Sequence, residues 1–170
     1  RAIDNFPITG IGINRYPNIV KYLGVIKKAA AVANYETGKI SKEVYEGIVK
    51  GCDDVIAGKY NDQFPVDVIQ GGAGTSTNMN ANEVIANVAL EYMGHQPGQY
   101  EFCSPNDHVN GSQSTNDAYP CAVHLAMYAD HLEMVKHLDL LIESLEKKAE
   151  EYKNIIKMGR TQLQDAVPMT

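Results

Sequence analysis

The chain has 170 residues, of which 44% are hydrophobic and 21% are charged, proportions typical of a globular protein with a packed core. Its formal net charge of -6 argues against a nucleic-acid partner, because no basic stripe is present to displace counterions from a phosphate backbone. No apolar run reaches the ~18 residues that a membrane-spanning helix requires, and no signal-peptide pattern opens the chain. We therefore expect a cytoplasmic protein with no nucleic-acid or membrane partner.

The cysteines and histidines predict neither a disulfide framework nor a metal site. Cys52, Cys103 and Cys121 lie far apart and lack CxxC spacing, which fits reduced thiols. The five histidines also lack the spacing of metal ligands. We expect no metal and no cofactor, with a thiol nucleophile at Cys103 or Cys121 as a minor alternative to structural cysteine.

The first predicted helix begins at Pro17, runs to about Glu36 and ends before Gly38. Its apolar face is predicted from residues that recur at helical spacing, namely Ile19, Leu23, Ile26, Ala30 and Ala33. We expect this helix to pack on the core through that face.

Two more helices and an extended segment follow. Ser41 is a plausible N-cap for a second helix that ends near Gly58. Residues 64–70 are β-branched and extended in character, and the glycine-rich "GGAG" then interrupts the chain. A third helix is predicted from about Asn80 to Met93 and is ended by Gly94.

The fourth predicted helix is unusually long. No glycine occurs from Asp117 to about Lys153, and Pro120 lies in the first turn, where it costs no hydrogen bond. Thirty-seven residues make a rod of roughly 55 Å, too long for a globule built from this chain alone. Its apolar seam, which we expect other helices to cover, repeats at spacings of three and four: Leu125, Ala129, Leu132, Val135, Leu138, Ile142, Leu145 and Ala149.

Three polar segments, each expected beside a helix start, are candidate binding sites: residues 70–80, 110–117 and 159–165. Hydroxyl and amide side chains at a helix N-terminus combine with unpaired N–H groups and a partial positive charge to bind an anion. The alternative for each is a local structural role. Asn116 could be an N-cap, "GGAG" lacks the lysine of a P-loop, and Thr161 and Gln162 could be surface loop residues.

Three stretches resemble conserved segments of the aspartase/fumarase superfamily. They are "GGAGTSTNMNANEVIAN", "SPNDHVNGSQSTNDAYP" and "GRTQLQDAVPMT", which occur in the family's order, and "RAIDNFPITG" is similar to the start of the same enzymes. Hydratases of the superfamily usually read GRTH where this chain reads GRTQ, so Gln162 favours the ammonia-lyase branch. The resemblance covers essentially the whole chain.

The resemblance implies substrate-binding roles for Thr75 and for the trio Ser114, Thr115 and Asn116. It implies the same for Thr161 and Gln162. Asn106 and Asp107 match an accessory anion-site pattern, although Ser104 stands where the family often has histidine. The substrate implied is a small dicarboxylate, L-aspartate or fumarate, and the reaction is reversible deamination through an enediolate intermediate.

The family fold is mainly α-helical, so we expect an N-terminal helical domain over 1–112 and the start of a central long-helix bundle over 113–170. The chain does not begin with methionine, and we expect it to be part of a longer polypeptide. The family's general base is a serine on a flexible loop, which would lie beyond Thr170. No catalytic residue is therefore expected in this stretch, and we expect the stretch alone to be inactive.

The length of the fourth predicted helix favours assembly of several chains, independently of the resemblance. The seven residues between Lys153 and Thr161 span at most about 28 Å and cannot fold back along a helix of roughly 55 Å. If the second and third polar segments bind one molecule, they must come from different subunits. The family's homotetramer, with sites shared among chains, fits this expectation. Two alternatives stay open: a class II fumarate hydratase, and a helical scaffold protein whose polar segments only cap helices.

Overall fold

The computed structural model describes residues 2–5, 7–70 and 72–170. Gly71, in the glycine-rich candidate segment, lies outside the described residues. The helices and strands follow in the order α1 (Ala2–Asn5), α2 (Pro17–Glu36), α3 (Lys42–Ile56), α4 (Thr75–Tyr92), α5 (Thr115–Tyr152), β1 (Lys157–Thr161) and β2 (Gln164–Met169). Short 3-10 turns cover Ile13–Arg15 and Asn61–Gln63, and a π-helical turn covers Pro105–Val109. The expected, mainly α-helical class is confirmed.

The chain divides into two compact units, residues 1–129 and 130–170, and α5 contributes to both. The sequence-based boundary between residues 112 and 113 stays a prediction. No helix in the described ranges is long and apolar enough to cross a membrane.

In the first unit, α3 packs between α2 and α4 around an apolar core. Gly51 of α3 is required by this packing, because a Cβ at this position would lie 2.9 Å from the carbonyl oxygen of Ile85 in α4. Ser41 caps α3 by accepting a hydrogen bond from the Val44 N–H, as the sequence predicted. The segment at 64–70, expected to be extended, forms no strand and makes one isolated antiparallel bridge, between Asp67 and Gly12. Around this bridge the Ile13 N–H donates to the Val66 carbonyl and the Val68 N–H donates to the Ile11 carbonyl.

The buried face of α2 differs from the predicted one. Its bounds are those predicted, but the fully buried stripe contains Val20, Leu23, Lys27, Ala31 and Asn34. Ile19 and Ile26 are only partly buried, and Ala33 is exposed. The helix is therefore rotated so that two polar side chains face inward, and the apolar pattern alone could not indicate this.

Helix α4 begins at Thr75, five residues before the predicted start at Asn80. Gly74 adopts a left-handed conformation with φ of 87°, which ends the preceding loop at that residue. Thr75 therefore lies at a helix N-terminus and not in a loop.

The second unit contains the later part of α5 and an antiparallel hairpin. Much of the predicted seam is exposed in this chain, including Leu132, Leu138, Ile142 and Leu145. The expectation that the third polar segment adjoins a helix start was wrong. It lies in the hairpin, because Gln162 and Leu163 both have positive φ, at 49° and 64°, and form a two-residue left-handed turn.

Candidate functional site

The N-terminus of α4 lies against the first turn of α5. Gly74, which precedes α4, has no side chain to cap the helix. A Cβ at this position would lie 2.4 Å from Cδ1 of Tyr119 in α5, so only glycine permits this approach. The two helix N-termini, with their partial positive charges, are thus adjacent.

A side-chain hydrogen bond joins the same two helices. Asn78, one turn after Thr75, is fully buried, and its Nδ2 donates to Oγ1 of Thr115 at 3.1 Å. Thr115 is the first residue of α5 and half-buried. Because its oxygen accepts from Asn78, the Thr115 hydroxyl can direct its own proton to a ligand.

Ser114 and Asp117 form a reciprocal cap at the start of α5. The Asn116 N–H donates to Oγ of Ser114 at 3.2 Å, and the Ser114 N–H donates to Oδ2 of Asp117 at 2.9 Å. Ser114 rather than Asn116 is therefore the N-cap, and the Asp117 carboxylate at the N3 position accepts in return, similar to the reciprocal bonds of a capping box. Asn116 is exposed, and its side-chain amide makes no hydrogen bond to any described residue. The local structural role proposed for Asn116 therefore belongs to Ser114.

Asn110 is the centre of a polar network behind the site. Its Oδ1 accepts three hydrogen bonds, from Nζ of Lys27 at 2.9 Å and from Nδ2 of Asn78 and Asn82 at 3.1 Å each. Its Nδ2 donates to the main-chain carbonyl of Gln113 at 3.2 Å. Residues from α2 and α4 thus fix the loop that leads into Ser114.

Gln113 belongs to the loop that precedes α5 and stabilises it through hydrogen bonds of its own side chain. Its Oε1 accepts from Nζ of Lys27 at 2.9 Å, and its Nε2 donates to the carbonyl oxygens of Val109 and Gly111. Asn34 of α2 adds a hydrogen bond to the Gly111 carbonyl at 2.9 Å. The conformation of residues 109–115 is therefore set by buried polar side chains.

Lys27 is 0% exposed, and its only hydrogen-bond acceptors among the described residues are the two neutral amide oxygens. Burial lowers the pKa of Lys27 from 10.5 to about 8, opposed by the attraction of Asp117 and of Cys52. None of the ion pairs in the described part of the chain includes Lys27. A cation that is largely uncompensated thus lies behind the start of α5.

Thr75 is exposed and lines a cavity of about 900 Å³ together with Ser76 and Asn80. The Thr77 N–H in the same turn is occupied, because it donates to Oε1 of Gln70 at 3.1 Å. The cavity therefore reaches the N-terminal turn of α4 at Thr75 and Ser76.

Asn106 and Asp107 lie on the π-helical turn, and both are exposed. Oδ2 of Asp107 accepts from the Ser104 hydroxyl at 3.0 Å, and the Asp107 N–H donates back to the same hydroxyl. Asp107 is thereby engaged in capping its own turn, and an accessory anion site at this position stays a prediction.

Thr161 ends β1, Gln162 opens the hairpin turn, and both are exposed. Arg160 and Asp165 pair across the turn at 2.8 Å. Of the predicted substrate-binding residues, Thr75 lies at the start of α4 and the trio at 114–116 lies at the start of α5, two helix starts that are joined by the contacts of Gly74 and Asn78. Thr161 and Gln162 lie in the second unit.

The sequence interpretation missed Lys27, Asn78, Asn82, Asn110 and Gln113. A positional pattern was available for Lys27, which lies four residues after Leu23 and four before Ala31, both buried. A lysine in phase with an apolar stripe predicts a buried cation.

The described residues include no cluster of typical metal ligands, and one of the two candidate thiols is buried. No group of three or more His, Cys, Asp and Glu side chains there could hold a metal ion. Cys103 is buried, and burial raises the pKa of its thiol to about 11, which disfavours the nucleophilic thiolate.

The family profile and two curated relatives that match this chain are all described as lyases. The profile of a family described as lyase matches residues 2–170. The chain is 57% identical over 170 residues to an aspartate ammonia-lyase of Helicobacter pylori and 55% identical over 171 residues to that of Escherichia coli K12. Each match includes the whole of this chain, but the chain spans only 36% of the length of each relative.

Solved structures agree. A fumarate lyase:delta crystallin from Brucella melitensis superimposes with a TM-score of 0.81 at 51% identity, over 99% of this chain and 39% of that one. A class II fumarase from Schistosoma mansoni gives a TM-score of 0.73 at 39% identity, over 99% of this chain and 36% of that one. The chain belongs to the lyase family, within the aspartase/fumarase superfamily.

Proposed function

We propose that the complete protein is an ammonia-lyase that interconverts L-aspartate with fumarate and ammonia. The observation that carries this is the junction of the N-termini of α4 and α5, where Gly74 lies against Tyr119 and Asn78 donates to Thr115. Two adjacent helix N-termini suit an anion. The high identity to two aspartate ammonia-lyases over the whole chain supports the choice of substrate.

In this proposal, hydroxyl and amide donors bind the substrate carboxylates. Thr75 and Thr115 contribute hydroxyls from adjacent helix ends, and Asn116 contributes an amide that no described side chain occupies. Ser114 combines binding with capping, because its Oγ already accepts from the Asn116 N–H and keeps its own proton to donate.

The chemistry suits neutral donors held in fixed positions. Removal of the proton next to the β-carboxylate sends negative charge into that carboxylate and forms an enediolate. Donors that are already oriented stabilise this added charge more than the charge of the substrate, which lowers the barrier. Each well-placed donor contributes about 2.7–4 kcal/mol to the transition state, by analogy with oxyanion holes.

We propose that the general base is not among these 170 residues. Asp117, the carboxylate nearest the trio in sequence, is engaged with the Ser114 N–H and is poorly suited to take a proton from carbon. The 170-residue polypeptide alone should therefore release no fumarate from aspartate, as followed by ultraviolet absorbance. Turnover by that polypeptide would contradict this part of the proposal.

We also propose that Thr161 and Gln162 complete the site from another subunit of a homotetramer. The 38-residue length of α5 and the exposed leucines along it support assembly of several chains around these helices.

Fumarate hydratase activity is the second candidate, favoured by the similarity to the Schistosoma mansoni fumarase. Purified complete gene product, assayed separately with L-aspartate and L-malate, distinguishes the two. We expect fumarate and an equal amount of ammonia from aspartate, and little fumarate from malate. Fumarate from malate alone would replace the ammonia-lyase by a hydratase.

A further inference from the structure

Lys27 has an environment that stability does not explain. Its ammonium lies inside the first unit, 0% exposed, and donates to Oδ1 of Asn110 and Oε1 of Gln113 at 2.9 Å each. Both acceptors are neutral, and Asp117, the carboxylate that attracts it most, forms no ion pair with it. Burying a charge without a paired counterion costs free energy, so a purely structural role would favour an apolar side chain here.

The contacts of Lys27 lead directly to the candidate site. Gln113, one of its two acceptors, precedes Ser114 in the chain, and Asn110, the other, donates to the Gln113 carbonyl at 3.2 Å. Asn110 also accepts from Asn78, and Asn78 donates to the Thr115 hydroxyl. Lys27 therefore orders both the loop and the first residue of α5.

We propose that Lys27 is a positioning residue of the dicarboxylate site, which orders the start of α5 through Asn110 and Gln113 and whose buried positive charge attracts the bound dianion. This inference rests on the proposed function, since it needs a dianion at residues 114–116. Those residues carry no positive charge, so the attraction comes from behind the loop.

The distance allows such an effect. Three hydrogen bonds, through Asn110 and Asn78, connect Nζ of Lys27 to Oγ1 of Thr115 and limit their separation to about 9 Å. At an effective dielectric constant of about 20, a unit charge 9–12 Å from a carboxylate changes its affinity by about 10- to 20-fold.

The test uses the complete gene product and the variant Lys27→Met, which keeps the length of the side chain and removes its charge. We expect kcat/KM for aspartate and affinity for the unreactive dianion succinate to fall at least about 10-fold. Circular dichroism should show a folded protein. Lys28→Met is the matched control: Lys28 is the next residue of α2, partly exposed and paired with Asp53, and its variant should retain full activity.

A second variant and a pH series test whether the charge of Lys27, and not only its side-chain packing, contributes to dianion affinity. Lys27→Gln removes the charge but keeps an amide donor, and we expect a similar loss. Succinate affinity of the unaltered protein should decline as pH rises through about 8, and neither Lys27 variant should show this decline.

Retention of kcat/KM and succinate affinity within twofold in a folded Lys27 variant would overturn the inference. Failure of both variants to fold would also overturn it, since Lys27 would then be a structural requirement. If the unaltered protein acts on neither aspartate nor malate and does not bind succinate, the proposed function itself fails.

Discussion

The side-chain amide of Asn78 donates to the hydroxyl of Thr115 at 3.1 Å, and this contact joins the first turns of α4 and α5. Two segments that are 37 residues apart in sequence thereby form the junction at which we propose that the dicarboxylate binds.

Ser114 and Asn116 should differ in their effects when replaced by alanine. Ser114→Ala removes the N-cap of α5 and should cost about 0.5–2 kcal/mol of unfolding free energy as well as activity. Asn116→Ala should leave stability within about 0.5 kcal/mol and reduce kcat/KM by at least about 10-fold. Urea unfolding and aspartate turnover measure the two effects. Equal stability losses with no loss of rate would favour a scaffold protein with capping residues only.

Gly74→Ala should be strongly destabilising, because a Cβ would lie 2.4 Å from the Tyr119 ring and the residue has φ of 87°. Gly72→Ala is a matched control with the same φ of 87° and nothing within 4 Å of the added Cβ. Thermal unfolding should show a difference of at least about 1 kcal/mol between the two variants, due to the contact alone. Partial recovery of stability in the double variant Gly74→Ala, Tyr119→Ala would show that the clash with the Tyr119 ring causes the loss. An equal loss of stability in the two glycine variants would contradict a destabilising clash.

The pH dependence of the unfolding free energy should show that the pKa of Lys27 is lowered in the folded protein. Its pKa is lowered to about 8 in the fold from 10.5, so between these values the unfolded chain binds more protons than the folded one. Stability of the unaltered protein should therefore rise relative to Lys27→Met as pH increases from about 8 to 10.5, by about 3 kcal/mol in all. Cys52 and Asp117 face Lys27 and remain in both proteins. Parallel stability curves, from urea unfolding at each pH, would contradict a buried ammonium.

Charged residues on the exposed seam of α5 should disrupt assembly. Leu138 and Leu145 are 47% and 61% exposed. The double variant Leu138→Asp, Leu145→Asp should therefore lower the oligomeric state of the complete gene product. Replacing Lys136, also on α5 and exposed, by glutamate is a control that should not change assembly. Light scattering after size-exclusion chromatography measures the mass, and an unchanged mass of the leucine variant would refute the seam as an interface.

Most helix ends could be predicted from the sequence because the residues that start and stop a helix act locally, as Pro17, Ser41 and Gly94 do. Each of these signals acts within one turn: α2 begins at Pro17, α3 begins directly after Ser41, and α4 ends two residues before Gly94. The start of α4 was misplaced because part of the requirement for glycine at position 74 comes from the Tyr119 ring, which is distant in sequence.

The buried network could not be predicted for a related reason. Asn78, Asn82 and Asn110 resemble surface or capping residues in any local window, and only the packing of α2 against α4 and the loop at 110–113 makes them partners. Thr75 and Ser114–Asn116 were predicted from the resemblance, whereas the contacts of Lys27 with Asn110 and Gln113 are visible only in the folded structure.

The single oxygen of Asn110 that accepts from Lys27, Asn78 and Asn82 has a consequence for how this protein tolerates change. A substitution at any one of the four positions leaves buried partners unmatched, so its cost should depend on the identities of the others. These positions should show strong epistasis in a deep mutational scan, with compensated pairs surviving where the individual replacements do not.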